Sequence, residues 1–183
     1  MDIAIRPFGL DEMEAIGSID RSIEQHAEYI VEPVSDPPGL VLERRPLLAP
    51  VPMASWAPNE LAGRLETWRR SHKEGATFLG AFDDGRMVGF AVLSQKLFDD
   101  TVEIYGLSVT AKYRRRGIAT RLLAAVEEAA RNLGAEVMTM FTTRQSAAGL
   151  DFYLGAGFRV IGLQDTTRVK NKGWEIRLAK TVT

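Results

Sequence analysis

Residues 114–120 read Arg-Arg-Arg-Gly-Ile-Ala-Thr, a basic, glycine-containing turn between an apolar strand, Glu103 to Val109, and an amphipathic helix. A helix start leaves its first backbone N–H groups without intrahelical partners and presents the positive end of the helix dipole. A turn of this kind suits an anion, and a phosphate-bearing ligand is the natural candidate. Gly117 lets the backbone approach a ligand closely, because no Cβ intervenes. Ala119 keeps the first helical turn slim, and the N–H groups from about Arg115 to Thr120, Ile118 included, are the donors. Arg114, Arg115 and Arg116 add charge for phosphates. The competing reading is a solvated basic helix start. No Gly-x-Gly-x-x-Gly follows a strand and no Gly-Lys-Ser/Thr is present, which removes the dinucleotide-binding and P-loop readings.

Composition narrows the class further. The chain has 183 residues, 45% hydrophobic and 26% charged, enough for one domain with a sizeable core. Its net charge of −1 argues against a dedicated nucleic-acid binder, and no aromatic platform accompanies the three arginines. There is no cysteine, hence no disulfide, thiolate metal site or cysteine nucleophile. The two histidines, His26 and His72, are far apart, so no metal is expected. Met-Asp-Ile-Ala-Ile-Arg at the start is not an apolar signal run, and no stretch approaches the ~20 apolar residues of a membrane helix. A cytoplasmic protein without membrane or nucleic-acid partners is the expectation. Charge is uneven: residues 1–60 carry a net −7 and residues 61–183 a net +6.

These residues need elements to hold them. A first strand spans about Asp2 to Phe8, and Gly9 to about Ile19 has near-helical spacing. Residues 20–57 contain six prolines and read as an irregular, loop-rich insertion, with Leu40 to Leu42 a short strand inside it. Pro58 opens a helix with Leu61, Leu65 and Trp68 on its core face. Thr77 to Phe82 and Met87 to Leu97 flank the turn Asp83-Asp84-Gly85 as a hairpin, and Thr101 to Val109 is the next strand. Arg116 to Leu133 is a helix with a Leu122, Leu123, Val126, Ala129, Ala130, Leu133 stripe, stopped by Gly134. Glu136 to Thr142 suits a central strand. Ser146 to Ala156 is a short helix stopped by Gly157, and Phe158 to Gly162 and Trp174 to Leu178 close the order. The fold class is α/β, a mixed twisted sheet of six to seven strands flanked by about four helices.

The order strand, Arg114-x-x-Gly117-x-Ala119, helix resembles the pyrophosphate loop of the GCN5-related N-acetyltransferases, which bind acetyl-coenzyme A there. A second segment, Phe152-Tyr153-Leu154-Gly155-Ala156-Gly157-Phe158, matches the family's Tyr-x-x-x-Gly-Phe helix end. The resemblance implies that Tyr153 protonates the departing thiolate as a general acid; the alternative is a packing tyrosine. Seven residues earlier the family often has asparagine, and this chain has Ser146, which could touch coenzyme A or cap the helix. In one branch of the family a glutamate on the matching strand is the general base, which carries over to Glu103; its alternative is an ordinary strand carboxylate. An ammonium needs such a base because it has no lone pair until deprotonated. The resemblance further implies that Leu107, Ser108 and Val109 line the pantetheine arm, that Gly106 marks a bulge or splay, and that the cofactor lies between strands 101–109 and 136–142. The tail from Phe152 is similar to streptothricin-type antibiotic acetyltransferases, as is Tyr29-Ile30-Val31.

The resulting expectation is a single domain, residues 1–183, with 20–57 an insertion on the substrate side. It would transfer acetyl from acetyl-coenzyme A directly to a primary amine, with no metal. Eight acids between Leu10 and Asp36 against one base, Arg21, suggest a small cationic amine. The rival readings are a protein or peptide amine as acceptor and a non-catalytic acyl-coenzyme A sensor. A homodimer is compatible with the sequence.

Overall fold

A computed structural model describes residues 2–97, 99–166 and 173–183. The strands are β1 (Ile3–Pro7), β2 (Ile23–Ser35), β3 (Pro38–Met53), β4 (Thr77–Asp83), β5 (Arg86–Leu93), β6 (Thr101–Val109), β7 (Val137–Thr143), β8 (Arg159–Asp165) and β9 (Trp174–Thr181). The α-helices are α1 (Pro58–Lys73), α2 (Ile118–Asn132) and α3 (Ala147–Gly155), joined by 3₁₀ turns at Met13–Ser18 and Ala111–Tyr113. Seven strands share one sheet in the order β1-β4-β5-β6-β7-β9-β8, and β2 with β3 forms a second. Two compact units result: one holds the residues up to Ser22, Ala54–Thr139 and the last three; the other holds Ile23–Met53 and Met140–Lys180.

In the first unit β1, β4, β5 and β6 pair antiparallel in that order. From Met87 to Leu93 every residue of β5 is buried, the apolar run of a strand covered on both faces. The β4–β5 turn places Asp84 at φ 48° and Gly85 at φ 76°, the doubly left-handed geometry a two-residue hairpin turn requires. Phe8, Met13, Ile16, Leu65, Trp68, Phe78 and Phe90 make one buried cluster. On α2, Leu122, Leu123, Val126 and Ala130 are buried, and a Cβ at Gly89 would come within 3.3 Å of Leu122. Truncating a side chain such as Leu122, which is fully buried, costs about 2–5 kcal/mol.

The second unit corrects the sequence reading most. Residues 20–57 are not a loop-rich insertion: β2 and β3 form a long antiparallel hairpin. A two-stranded ribbon has two outer edges, where a proline's missing N–H breaks no ladder bond, and Pro37 lies in the turn. The strand signal is an alternation, with Gln25, Ala27 and Tyr29 buried and Glu24 and His26 exposed. Tyr29 ties the hairpin to α3: its hydroxyl donates to Asp151 Oδ1 at 2.7 Å, and Arg44 Nε donates to Asp151 Oδ2 at 3.0 Å. The expected helix at 9–19 is a six-residue 3₁₀ turn, and α2 begins at Ile118 rather than Arg116.

All three α-helices end alike. Gly75, Gly134 and Gly157 stand at φ 96°, 68° and 88° just past the helix. In α3 the Phe158 N–H donates to the Tyr153 carbonyl at 3.0 Å and the Gly157 N–H to the Leu154 carbonyl at 3.1 Å, the Schellman pattern.

Candidate functional site

The turn after β6 is built by two left-handed residues. Arg115 has φ 59° and Gly117 φ 75°. Gly117 is the N-cap of α2, and the first bond into it runs from the Arg121 N–H to the Gly117 carbonyl at 3.0 Å. The donors at Ile118, Ala119 and Thr120 therefore have no partner within the helix. A Cβ built on Gly117 would meet nothing within 4 Å, so the ground above the turn is open. Backbone donors, a dipole and open space fit a pyrophosphate. Arg115, Arg116 and Gly117 are exposed, and Arg116 lies over the Tyr113 ring at 5.4 Å.

Arg114 departs from expectation. Its Nε donates to the Val109 carbonyl at 3.0 Å, Nη1 to the Ser22 carbonyl at 2.6 Å and Nη2 to the Asp20 carbonyl at 3.1 Å. The guanidinium is a brace between the end of β6 and residues 20–22, and its charge is not displayed to a phosphate. Burial holds its pKa below the ordinary arginine range.

Inside β6 the ladder slips by one residue. Gly106 pairs with Val92 and Ile104 with Leu93, which leaves Tyr105 as the extra residue of a bulge. Sequence placed this break at Gly106, one residue away. A Cβ at Gly106 would meet Phe90 and Trp68 at 3.4 Å, so the position sits directly on an aromatic floor. Leu107 and Ser108 beyond the bulge are half-buried and Val109 is buried. Glu103 lies before it, half-buried; its N–H donates to Ser94 Oγ at 2.8 Å. Burial chiefly, and then the carboxylates of Glu103 and Glu74, raise the pKa of Tyr105. Glu103 thus acts electrostatically on the bulge residue.

In the second unit Tyr153 is buried at 6% exposure, its ring edge-on to Phe152 and Phe158 at 5.2 and 5.3 Å. Burial pushes its pKa well above that of a free phenol, so the hydroxyl keeps its proton throughout the neutral range. The Tyr-x-x-x-Gly-Phe spacing has a structural cause of its own. Tyr153, Gly157 and Phe158 are the three positions a Schellman ending fixes, including the contact between the outer two. Ser146 occupies the N-cap position of α3, but its hydroxyl makes no capping bond. It lies against the first turn, where a Cβ at Gly149 would come within 2.6 Å of Ser146 Oγ. Expectation of a side-chain cap is thereby corrected.

Two features escaped the sequence reading. Arg21 sits over the Trp56 ring at 3.9 Å, and its Nε donates to Ser108 Oγ at 2.9 Å. The one available signal was its isolation among acids. A pocket of about 210 Å³ in the second unit is walled by Leu47, Val51 and Met53, with Gln25 and Gln145 also in its lining. It depends on the hairpin. Among the described residues no group of acids and histidines could hold a metal, and no helix is long and apolar enough to cross a membrane.

The sequence pattern described as the Acetyltransferase (GNAT) family matches residues 45–158, more than half of the chain. A curated relative, streptothricin acetyltransferase of Streptomyces lavendulae, is 26% identical over 153 residues, 83% of this chain and 79% of that protein. Other curated relatives match about half of this chain, which spans only 30–60% of their length. The crystal structure of nourseothricin acetyltransferase superposes with a TM-score of 0.82 at 20% identity, covering all of both chains. A candidate streptothricin acetyltransferase from Bacillus anthracis str. Ames, solved in complex with acetyl coenzyme A, superposes at 0.76 with 18% identity over 98% of this chain and 99% of that one. At these identities the superpositions establish the fold.

Proposed function

The chain belongs to the GNAT acetyltransferase family, and from that premise we propose that it transfers the acetyl group of acetyl-coenzyme A to a primary amine of a small molecule. The observation that carries the reading is the run from β6 into α2: a bulged strand, a turn at left-handed Gly117 open to its outer side, and a helix start. Bound acetyl-coenzyme A supplies an activated acetyl thioester. The N–H groups of Gly117, Ile118, Ala119 and Thr120 hold its pyrophosphate, with Arg115 and Arg116 adding exposed charge. Leu107, Ser108 and Val109 border the arm that carries the thioester, and Ser146 offers a hydroxyl to it.

Two groups of this chain move protons. Glu103 takes a proton from the acceptor ammonium, directly or through water, so that a lone pair becomes available. Tyr153, kept protonated by burial, delivers a proton to the departing sulfur. Attack is direct, since no activated nucleophile precedes it.

Four of the eight acids between Leu10 and Asp36 are ion-paired: Glu12 with Arg6, Glu14 with Arg69, Glu28 with Arg144 and Glu32 with Arg45. The segment's field is correspondingly weaker than its composition suggested.

A panel of primary amines, assayed for coenzyme A release with a thiol reagent, tests the activity. Amine-dependent release from acetyl-coenzyme A is the expected result. Absence of release with every amine, while acetyl-coenzyme A still raises the melting temperature, would make the chain a binding protein and overturn the reading.

A further inference from the structure

Arg21 is the only lysine or arginine between Leu10 and Asp36, and it combines partial burial with unpaired Nη donors. Arg6, Arg44, Arg45, Arg69, Arg131 and Arg144 each meet a carboxylate. Arg114 satisfies all three of its nitrogens on backbone carbonyls. The Arg21 side chain is half-buried, yet only its Nε donates, to Ser108 Oγ at 2.9 Å. Among the described residues no carboxylate lies within 4 Å of it and no acceptor receives from its two Nη groups. Its charged neighbours include Arg64 and Arg114; Glu60 is the acid that offsets them, and Glu60 itself accepts from the Ala57 N–H at 3.1 Å. Burial chiefly, then the two arginines, push its pKa down to about 10, still a cation at neutral pH.

The guanidinium is nevertheless held in place. Its plane lies over the Trp56 ring at 3.9 Å, with Arg64 over the same ring at 5.0 Å. Trp56 in turn packs on Trp68 at 5.7 Å and on Phe90 at 6.2 Å. Those two rings are the floor under Gly106, at the bulge of β6. The backbone N–H of Arg21 donates to Ser55 Oγ, which completes the seat. Ser108, to which the side chain is anchored, lies two residues past Gly106, in the stretch assigned to the thioester arm. A rigid cation is thus presented beside that stretch with a fork of unused donors. The fork matches a planar carboxylate in a bidentate pair, the strongest hydrogen-bonded arrangement an arginine makes.

We propose that Arg21 recognises a carboxylate carried by the acceptor, so that the substrate is an amine that also bears an acid. This rests on the reading of β6 as the acetyl-transfer strand. It places the anion-binding group on the acceptor side of Ser108 and leaves the 117–120 donors to the pyrophosphate. It also predicts that a simple polyamine, without an acid, is a poor acceptor whatever the composition of residues 10–36.

The test is direct binding to the coenzyme A-loaded protein by titration calorimetry, which needs no turnover. Three matched sets serve as probes: L-lysine, L-2,4-diaminobutyrate and L-alanine, each with its carboxamide and its decarboxylated amine. In at least one set the free acid is expected to bind tenfold or more tightly than its two partners. Arg21→Gln should erase that difference while leaving the affinity for coenzyme A within twofold, and Arg21→Lys should restore part of it. Equal binding of acid, amide and amine across all three sets overturns the proposal. So does an Arg21→Gln protein of normal melting temperature that retains the preference. A protein that binds the acids but never releases coenzyme A would instead refute the acetyltransferase reading and leave Arg21 as the carboxylate reader.

Discussion

Tyr153 and Glu103 are asked to do opposite proton work, and their surroundings differ accordingly. Tyr153 is buried between aromatic rings, which disfavours the phenolate and keeps a proton available for donation. Tyr153→Phe is expected to lower kcat by roughly 10²–10⁴-fold, the range for a lost acid–base group, with the KM for acetyl-coenzyme A little changed. Undiminished turnover would make this a packing tyrosine that completes the Schellman ending and nothing more. Glu103 sits half-buried on β6, just before the bulge. Glu103→Gln should be slow near neutral pH and recover partly at high pH, where free amine is abundant. Rate–pH profiles of the two proteins decide this: a coincident acidic limb in wild type and variant would return Glu103 to the role of a strand carboxylate.

The β6–turn–α2 unit concentrates the binding function in a few φ angles and a helix start. Gly117 is left-handed and nothing stands where its side chain would be. Gly117→Glu would bring backbone strain of about 1–2 kcal/mol and a negative charge where the pyrophosphate is held. Acetyl-coenzyme A should raise the melting temperature of the wild-type protein with saturation, as binding to the folded state alone requires. The same ligand should give no shift in Gly117→Glu. Equal stabilisation of both would remove the turn from the cofactor site. Arg114 illustrates the division of labour in the same unit. It resembles a phosphate ligand in sequence, and as an element it fastens residues 20–22 to the end of β6.

Across the whole chain, proton binding by tyrosine contributes to how stability responds to alkali. All four tyrosines have raised pKa values. Burial leads for Tyr29, Tyr105 and Tyr153, whereas Tyr113 is raised first by its hydrogen bond to Asp83. Tyr29 is pushed up to about 12, by burial and then by the bond it donates to Asp151. A group that holds its proton more tightly when folded than unfolded contributes stability in full below the unfolded value, here about 10. That contribution is lost as pH rises through the folded value. The tyrosine contribution should therefore fall between pH 10 and 12, opposed in the same window by Arg21, whose proton is held less tightly in the folded state. Tyr29→Phe should be less stable at neutral pH and fall less steeply over that window. Parallel slopes for wild type and Tyr29→Phe would show that the Asp151 bond does not govern the titration.

What the sequence determined by itself is what short-range rules control. A glycine past an amphipathic stripe must turn left-handed, so Gly134 and Gly157 mark helix ends before any fold is known. An Asp-Gly pair between two apolar runs makes a hairpin turn, and a basic glycine turn between strand and helix makes an anion cradle wherever the strand and helix lie. That is why the β6–α2 unit and the α3 ending were legible. Tertiary structure decided the rest, because its causes lie far away in the chain. The hairpin of residues 23–53 exists because two proline-bearing strands pair along their length, which a count of prolines does not register. Arg114 turns inward to Ser22, 92 positions away, and Arg21 reaches Ser108 across 87. Three neighbouring arginines in one turn look equivalent as letters. Which of them braces, which faces solvent, and which distant arginine is left with donors to spare follow only from the path of the chain that brings those carbonyls, hydroxyls and rings within reach.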